Sequence, residues 1–226
     1  MGSRLLDVPS GASDMVLAVE MALPGNGLTR NQTALALLVE RATAGDTAAF
    51  EQIMIHSQQR VMAMSWRILG NEADARDASQ EVFLRVYKYL GRFKQDQDFF
   101  AWVYRITVNV CRDMLKKRRH ESDRFGSFAA DSSEEVLEIP FDQVDAEQTL
   151  IQAQRRELIS RAIATLPFKE RASIVLRDVE GLSTDEVARV LKSSSTTVRS
   201  QISSARRKIR DYCRRYMKGG RSRDEL

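Results

Sequence analysis

The side chains of residues 195 to 216 divide into two groups at helical spacing. The apolar group consists of Val198, Ile202, Ala205, Ile209, Tyr212 and Tyr216. The polar group consists of Thr196, Arg199, Ser200, Ser203, Arg207, Arg210 and Arg214. Hydroxyls and an arginine at the start of such a helix could hydrogen-bond to the edges of DNA bases, and the later arginines suit phosphates. The alternative is a solvated, arginine-rich face, which we would prefer for a helix of this kind standing alone.

The residues before this helix indicate how it would be positioned. Ser183, with Glu186 three residues later, has the spacing of a capping box, in which the serine hydroxyl accepts from free N–H groups at a helix start. An apolar stripe follows, and the polar run from Lys192 to Ser194 then interrupts it, so that Ser194 can cap the next helix. Two helices joined in this way predict a helix-turn-helix, whose second helix enters the DNA major groove. DNA binding is therefore the favoured interpretation of the polar group.

A second polar stripe lies in the N-terminal half. A helix predicted from Phe99 to about Arg119 would bury Phe99, Val103, Ile106, Val110 and Met114. Beside that face run Arg105, Asn109, Arg112 and Lys116. Basic side chains next to aromatic rings suit a nucleic-acid strand, because they combine phosphate contacts with stacking surfaces. The alternative is that the aromatic residues are core; we prefer it for Phe99, and the residues leave Phe100 and Trp102 undecided.

A third candidate surface belongs to the helix predicted from about residue 73 to residue 90. Its inner face would consist of Ala75, Ala78, Val82, Val86 and Tyr89. The opposite side presents Asp77, Gln80, Glu81 and Leu84. An acidic and amide patch around an exposed leucine is equally consistent with a solvated face and with a protein-docking surface.

The composition indicates a helical protein of two domains. The 226 residues are 43% hydrophobic and 29% charged, with four prolines, few strand-like runs, a formal net charge of +4 and a pI of about 9.2. We predict an all-α fold of two small helical domains, residues 31–120 and residues 149–218, the second a helix-turn-helix. Residues 121–148 carry nine acidic side chains and one basic side chain and indicate a flexible acidic linker, either a plain tether or an acidic strand for a basic channel. Residues 1–30 are predicted to be a flexible extension, and residues 219–226 a tail.

The sequence lacks the signatures of several function classes. Cys111 and Cys213 lie far apart in helical patterns and the two histidines are isolated, so neither a disulfide framework nor a metal site is indicated. An acid pair at usable spacing, a nucleophile elbow and a glycine-rich phosphate loop are all missing, which argues against a hydrolase or nuclease. We therefore expect no cofactor, no catalytic residues, no membrane insertion and a cytoplasmic location. The arginine-rich helix argues against a scaffold that binds proteins only.

Several runs resemble bacterial sigma factors of the extracytoplasmic-function (ECF) group of the sigma-70 family. In the C-terminal unit the runs are LPFKERASIVLRDVEGLSTDEVA from Leu166 and TVRS from Thr197. In the N-terminal unit they are AAF at 48–50, ADA at 73–75, DASQEVFLR at 77–85 and FAWVYRI at 100–106, followed by Asn109 and Asp113. Together these runs cover about residues 32–217, in the family's order.

The resemblance implies a sigma factor that binds core RNA polymerase and directs transcription initiation at specific promoters. The helix-turn-helix would read the minus-35 element as duplex, through Ser195, Thr196, Thr197, Arg199, Ser200, Ser203 and Arg207. The helix from Phe99 to about Arg119 and the connector before it would recognise and hold open the minus-10 element, through Phe100, Trp102, Arg105, Asn109, Arg112 and Lys116. The docking face for the clamp helices of the polymerase would be Asp77, Gln80, Glu81 and Leu84. The acidic linker would thread the active cleft of the polymerase. The chemistry of RNA synthesis would belong to the polymerase. An anti-sigma factor is an expected partner.

Four positions depart from the family's usual pattern. The turn commonly has glycine where this chain has Lys192, and the recognition helix commonly has glycine where it has Thr196. Gln201 and Ser204 stand where basic residues are frequent, so the promoter sequence that is read can differ. We expect the fold to tolerate Lys192, because lysine can join a turn that avoids the left-handed backbone region.

The main rival is a helix-turn-helix transcriptional regulator that binds DNA independently of polymerase and senses a ligand or phosphate with its N-terminal half. Its recognition domain would look much the same over residues 168–217. The N-terminal half argues against this class, because it shows a basic, aromatic-flanked helix and neither a sensor-like aspartate pocket nor an apolar-cavity pattern.

Overall fold

The computed structural model describes residues 28–94, 97–125 and 146–221. Within these ranges the chain forms α-helices and short helical turns, and the described residues contain no β-strand. The first helices are α1 (Leu28–Thr43), α2 (Thr47–Leu69), α3 (Glu72–Tyr89) and α4 (Phe99–Phe125). The later helices are α5 (Ala146–Ala164), α6 (Phe168–Ile174), α7 (Thr184–Leu191) and α8 (Ser195–Arg221). A 3₁₀ turn at Leu90–Arg92 follows α3, and a π-helical segment at Val175–Val179 continues α6. The predicted all-α fold is confirmed.

Side-chain and glycine caps separate the first helices. The Asp46 carboxylate accepts a hydrogen bond from the N–H of Ala49 at 3.0 Å, which caps α2. Gly70 ends α2 with φ at 84°, in the left-handed region, where a residue without Cβ meets no steric penalty. Asn71 then caps α3 by accepting from the N–H of Asp74 at 2.8 Å. One residue ends a helix and the next starts another, which keeps α2 and α3 close together.

The first domain is formed by α1 to α4, with α2 packed against each of the other three. Its buried side chains include Val39, Ala42, Ile53, Val61, Met64, Ile68, Ala75, Ala78, Val82, Val86, Phe99, Val103 and Val110. Those of α3 and α4 lie on the faces that the 3.6-residue spacing predicted, because each helix buries one apolar stripe against its neighbours. Ile106 and Met114, which were also predicted to point inward, are only partly buried.

The helix ends near the acidic region differ from those expected. α4 continues to Phe125 rather than ending near Arg119, and α5 begins at Ala146. Lys117 lies 3.9 Å from Glu121, and opposite charges four residues apart favour continued helix. The predicted extension, linker and tail fall largely on residues 1–27, 126–145 and 222–226, which lie outside the described residues.

The second domain is formed by α5 to α8, with α8 packed against each of the other three. Buried residues from all four helices make its core: Ala162, Ile163, Leu166, Ile174, Val175, Leu176, Val187, Val190, Val198, Ile202, Ala205 and Ile209. The predicted apolar face of α8 is confirmed as far as Ile209 but is wrong for Tyr216, which is 58% exposed. Cys213 is buried instead. Spacing identifies the face of a helix but not the point at which its packing partners end, and here that point lies near Cys213.

The predicted helix-turn-helix is confirmed, with α7 as its first helix and α8 as its second. The Ser183 hydroxyl accepts from the N–H of Glu186 at 3.3 Å, and the Glu186 carboxylate accepts from the N–H of Ser183 at 2.7 Å, which completes the capping box. Hydrogen bonds from the hydroxyl and backbone of Ser183 hold the pKa of Glu186 below its usual value. Ser194 caps α8, because its hydroxyl accepts from the N–H of Thr197 at 3.1 Å.

The turn between α7 and α8 corrects one expectation. Lys192 has φ at 51° and ψ at 52°, so the expectation that it avoids the left-handed region is wrong. Beside it, the N–H of Ser193 donates to the carbonyl of Ala188 at 2.9 Å, a bond typical of helices that end through a left-handed residue. A side chain with a Cβ carries a conformational cost of about 1–2 kcal/mol in this region. The packing of α7 against α8 must offset that cost.

The two domains pack against each other, which the sequence did not predict. α5, α6 and the π-helical segment contact α2, and α7 contacts α4. The Arg171 guanidinium crosses the interface, because it donates to the carbonyl of Ile68 in the first domain at 2.7 Å and to the carbonyls of Ala164 and Leu166 in its own domain. These carbonyls lie at or just after the C-terminal ends of α2 and α5, where backbone acceptors lack intrahelical partners.

Candidate nucleic-acid interface

The polar face of α8 is open to solvent. Six of the seven side chains predicted to read DNA from this helix are exposed: Thr196, Thr197, Arg199, Ser200, Ser203 and Arg207. Ser195 is half-buried. Small hydroxyls therefore occupy the first turns of α8 and arginines follow, an arrangement that suits a helix entering the major groove by its N-terminal end.

Two of these hydroxyls already have partners at the start of α8. Ser195 Oγ donates to Asp185 Oδ1 of α7 at 2.5 Å. Thr197 Oγ1 lies 2.8 Å from Ser194 Oγ, within the N-terminal cap. Both contacts position the first turn of the helix, and they leave Arg199, one turn further on, as the longest exposed side chain near the N-terminal end.

Ion pairs hold α8 against α6 and its π-helical continuation. Arg206 makes a bidentate pair with Asp178, with N···O distances of 2.9 and 2.7 Å, and this pairing raises the pKa of the guanidinium. Lys208 Nζ lies 2.8 Å from both carboxylate oxygens of Glu170. These basic residues therefore fix the orientation of α8, while the arginines on the opposite face remain available to DNA.

Gln201 and Ser204, two of the positions that depart from the pattern described above, also contact α6. The Ser173 hydroxyl donates to Gln201 Oε1 at 2.7 Å, and the Ser204 hydroxyl donates to Glu170 Oε1 at 3.1 Å. Both side chains are half-buried. In this chain the two positions help to seat the recognition helix, which is a role that the sequence did not indicate.

The basic stripe on α4 is exposed along most of its length. Arg105, Arg112 and Lys116 are exposed, and Asn109 between them is half-buried. Arg112 Nη2 donates to Asn109 Oδ1 at 2.6 Å, which orders the middle of the stripe. The four positions recur every three or four residues and so lie along one side of the helix. The three basic side chains among them suit the phosphates of a nucleic-acid strand.

Trp102 borders this stripe and belongs partly to the core. Its ring lies 5.3 Å from that of Phe93 and 5.9 Å from that of Phe99, centroid to centroid. Phe99 is buried, as preferred from the sequence, whereas Trp102 is half-buried. Trp102 thus packs partly into the core and keeps part of its ring accessible, and its part in DNA binding stays a prediction.

Phe100 lies on a different side of α4. Its ring stacks on Tyr104 at 5.9 Å, and the guanidinium of Arg60 lies 4.8 Å from its centroid. With about 100° between successive helical residues, Phe100 is about 140° around the helix from Arg105. The structure therefore does not bring Phe100 together with the basic stripe, and its part in DNA binding stays a prediction.

The predicted docking face on α3 is also exposed. Asp77, Gln80 and Leu84 are exposed, Leu84 by 66%, and Glu81 is half-buried. Glu81 pairs with Arg85 at 2.6 Å, so its carboxylate is held in place by a neighbour on the same helix. Tyr87, three residues after Leu84, is 60% exposed and extends the apolar centre of this face. The sequence analysis missed Tyr87, although its spacing from Leu84 was a usable signal.

A buried polar cluster lies where the two domains meet. The Tyr104 hydroxyl of α4 donates to Glu180 Oε2 at 2.6 Å, and Arg67 Nη1 of α2 lies 3.9 Å from Glu180 Oε1. The Glu180 side chain is 9% exposed, and Tyr104 is 2% exposed. Burial raises the pKa of Glu180, against the opposing effects of Tyr104 and Arg67. No local pattern in the sequence indicates this cluster, because Glu180 is 76 residues from Tyr104 and further still from Arg67.

The described part of the chain contains neither a metal-binding group nor a membrane-spanning helix. Its histidine, cysteine and acidic side chains form no group that could hold a metal ion. Among the same residues, no helix is both long enough and apolar enough to span a membrane.

Both domains match known families. Residues 54–121 match the model of sigma-70 region 2, and residues 156–209 match the model of sigma-70 region 4. The RNA polymerase sigma-H factor of Pseudomonas aeruginosa is 31% identical over 179 residues, which cover 76% of this chain and 90% of that protein. The ECF RNA polymerase sigma-E factor of Escherichia coli K12 is 33% identical over 178 residues, which cover 76% of this chain and 91% of that protein.

Solved structures show the same fold. The sigma factor RpoE of Bartonella quintana, in complex with the anti-sigma factor NepR, has a TM-score of 0.61 at 19% identity, over 73% of this chain and 96% of that chain. CnrH, in complex with the cytosolic domain of CnrY, has a TM-score of 0.54 at 25% identity, over 78% of this chain and 94% of that chain. With both sigma-70 regions present in order, and with 33% identity to a sigma-E factor across three quarters of its length, the chain belongs to the ECF group of the sigma-70 family.

Proposed function

We propose that this protein is a sigma factor that binds core RNA polymerase and directs transcription initiation at specific promoters. The observation that carries the proposal is the combination of two exposed basic helices, α4 and α8, on the two sigma-70 regions of a single chain. A regulator that binds DNA without polymerase needs the second region alone, so the presence of region 2 disfavours that alternative.

Recognition of the minus-35 element belongs to α8 in this proposal. Arg199 and the exposed hydroxyls of Thr196, Ser200 and Ser203 would meet base edges in the major groove, because they occupy the first turns of the helix. Arg207, two turns after Arg199, would contact a phosphate and set the register. Ser195 and Thr197 would act close to the backbone, since their hydroxyls are engaged with Asp185 and Ser194.

Recognition and opening of the minus-10 element belong to α4. The row formed by Arg105, Asn109, Arg112 and Lys116 would follow the phosphates of one strand. A base taken out of the duplex stack needs an aromatic or apolar platform and costs a few kcal/mol. Trp102, which is half-buried beside the row, would provide a platform of this kind.

Association with polymerase would use the face of α3 that carries Asp77, Gln80, Glu81 and Leu84. Leu84 is 66% exposed, and acidic and amide side chains surround it, which suits the centre of a protein-docking surface. Tyr87 would add to the apolar centre of this contact. In the proposed complex the polymerase catalyses RNA synthesis, and the sigma factor is not an enzyme.

Two further expectations follow from the same function. An anti-sigma factor is a proposed partner, supported by the structural relative that was solved with one. A cytoplasmic location is proposed because core RNA polymerase and promoter DNA are found there.

Run-off transcription tests the function directly. Purified core polymerase would be assayed with and without this protein on a pool of promoter fragments. Specific transcripts that require the protein would support the proposal and identify the promoter. Tight binding of a duplex site by the protein alone, with no transcript, would favour the polymerase-independent regulator instead.

A further inference from the structure

Two cations of the helix-turn-helix lie beside the start of α8. Arg189 is exposed near the end of α7, and Lys192 is exposed in the turn that follows. Both line an open cleft, together with Asp185 and the serines at positions 193 to 195. Asp185, Arg189 and Lys192 follow one another at intervals of four and three residues, so they share one side of the helix. The cleft therefore joins the first helix of the motif to the first turn of the second.

The acidic side chains beside these two cations are engaged elsewhere. Asp185 Oδ1 accepts from Ser195 Oγ at 2.5 Å, and Glu186 Oε2 accepts from the N–H of Ser183 at 2.7 Å. Both carboxylates thus stabilise the starts of helices. Within the part of the chain that the structure describes, the side chains of the two cations form neither a hydrogen bond nor an ion pair. Their charges are therefore available to an anion from outside the chain.

Lys192 occupies its position at a conformational cost. Its φ of 51° lies in the left-handed region, which glycine enters without a steric penalty. Residues held in unfavourable conformations cluster at functional positions, where the surrounding structure offsets the cost. The Lys192 side chain is exposed, so its own packing contributes little to that offset. A charge that is presented to a ligand at this point accounts for a lysine where glycine would be less strained.

We propose that Arg189 and Lys192 form a phosphate-binding pair, in which each cation meets one backbone phosphate of the DNA beside the minus-35 element. This inference rests on the proposed function, which brings α8 into the major groove of that element. In a helix-turn-helix the first helix crosses the DNA backbone while the second enters the groove. Cations on α7 and its turn therefore lie next to phosphates when α8 reads the bases. Contacts of this kind add affinity and fix the register, but they carry no sequence information.

Salt-dependent binding by the reconstituted holoenzyme would test the phosphate-binding pair. The probe is a duplex that carries the minus-35 element found by run-off transcription and ends upstream of the minus-10 element. A second duplex has the same length and a scrambled minus-35 sequence. Lys192→Gly removes the charge and the unfavourable conformation together, so a loss of binding would not come from a loss of folding. Arg189→Ala removes the other charge, Lys192→Arg keeps the charge, and Arg155→Ala on α5 is the matched control at another exposed site.

The logarithm of the binding constant falls linearly with the logarithm of the salt concentration, and each phosphate contact adds about 0.9 to the steepness of that line. We expect Lys192→Gly and Arg189→Ala each to reduce the steepness by about 0.9. The double variant should reduce it by about 1.8, because the two cations meet separate phosphates. The binding constant of each variant should fall by the same factor on both duplexes. Lys192→Arg and Arg155→Ala should keep the wild-type steepness.

An unchanged salt dependence in either single variant would overturn the phosphate-binding pair, even if the wild-type protein supports transcription. A loss confined to the matched duplex would also overturn it, because the contact would then be to a base. An equal effect of Arg155→Ala would do the same, since only net charge would matter. Absence of transcripts that require the wild-type protein would instead count against the proposed function. The same salt series on a duplex that the full chain binds alone would then decide the pair. If Arg189→Ala does not fold, Lys192→Gly decides the result.

Discussion

At the scale of single residues, Arg199 is the side chain that we expect to contribute most directly to sequence recognition. It is exposed near the N-terminal end of α8, while Arg206 and Lys208 on the other side of the helix are engaged with Asp178 and Glu170. The sequence shows several arginines that are equivalent in type. The structure distinguishes the arginine that pairs with an acidic side chain and holds the helix in place from those that face solvent.

We expect Arg199→Ala to weaken binding of the holoenzyme to its cognate minus-35 element by about 1–3 kcal/mol, because the contact to a base edge is lost. Binding would be measured on matched and mismatched promoter fragments, with Arg155→Ala, an exposed arginine on α5, as the control. Polymerase association should be unchanged. An equal loss of affinity on every sequence would show that Arg199 contacts only phosphate.

Charge on the docking face gives a second prediction at this scale. Glu81→Arg should abolish association with core polymerase, because it reverses a charge at the centre of the face and places it beside Arg85. Co-purification with core polymerase is the measurement. Glu40→Arg on α1 makes the same charge change at another exposed site and should have no effect. Normal co-purification of the Glu81 variant would remove this face from the docking role.

At the scale of elements, the turn of the helix-turn-helix holds a residue in an unfavourable conformation. Lys192 has a positive φ, and the capping box at Ser183 and the Ser194 cap define the helices on either side. The rigid geometry of the motif therefore outweighs the preference of one lysine. This explains why the turn forms without the glycine that related proteins commonly have.

Lys192→Gly should stabilise the second domain by about 0.5–1 kcal/mol. Glycine removes a conformational cost of about 1–2 kcal/mol, and part of this gain is lost because glycine is more flexible in the unfolded chain. Chemical denaturation followed by circular dichroism would measure the change. Lys192→Ala keeps the Cβ and should leave stability nearly unchanged, so an equal gain in both variants would refute the explanation through backbone strain.

At the scale of the whole molecule, the two sigma-70 regions form one packed unit. Arg171 contributes to this unit through its bonds to the carbonyl of Ile68 in the first domain and to those of Ala164 and Leu166 in the second. Glu180 and Tyr104 add a second contact across the same interface. The closed arrangement is therefore held by these polar contacts together with the packing of α2 against α5 and α6 and of α4 against α7.

Arg171→Ala should lower the free energy of unfolding by about 2–3 kcal/mol, because buried helix-end carbonyls lose their hydrogen-bond donor. Differential scanning calorimetry of the full chain would show the loss, together with a splitting of the unfolding transition into two as the domains uncouple. Lys169→Ala, an exposed change in the same helix, serves as the control. A loss below about 0.5 kcal/mol would mean that water replaces the guanidinium at little cost.

The sequence alone determined the helices, their caps and the polar faces of α3, α4 and α8. These features depend on neighbours within a few residues: Ser183 and Ser194 were assigned as caps from their spacing, and each of them caps its helix. The helix-turn-helix followed for the same reason. The exposed stripe from Arg105 to Lys116 was visible because solvent-facing residues repeat with the period of the helix.

Only the tertiary structure decided which side chains meet across the two domains. Tyr104 is 76 residues from Glu180, and no local pattern relates them. The same long-range packing placed Phe100 away from the basic stripe, turned Gln201 and Ser204 toward α6, and imposed a left-handed turn on Lys192. Each of these outcomes depends on how whole helices pack, which is a property of the assembled fold rather than of any short stretch of chain.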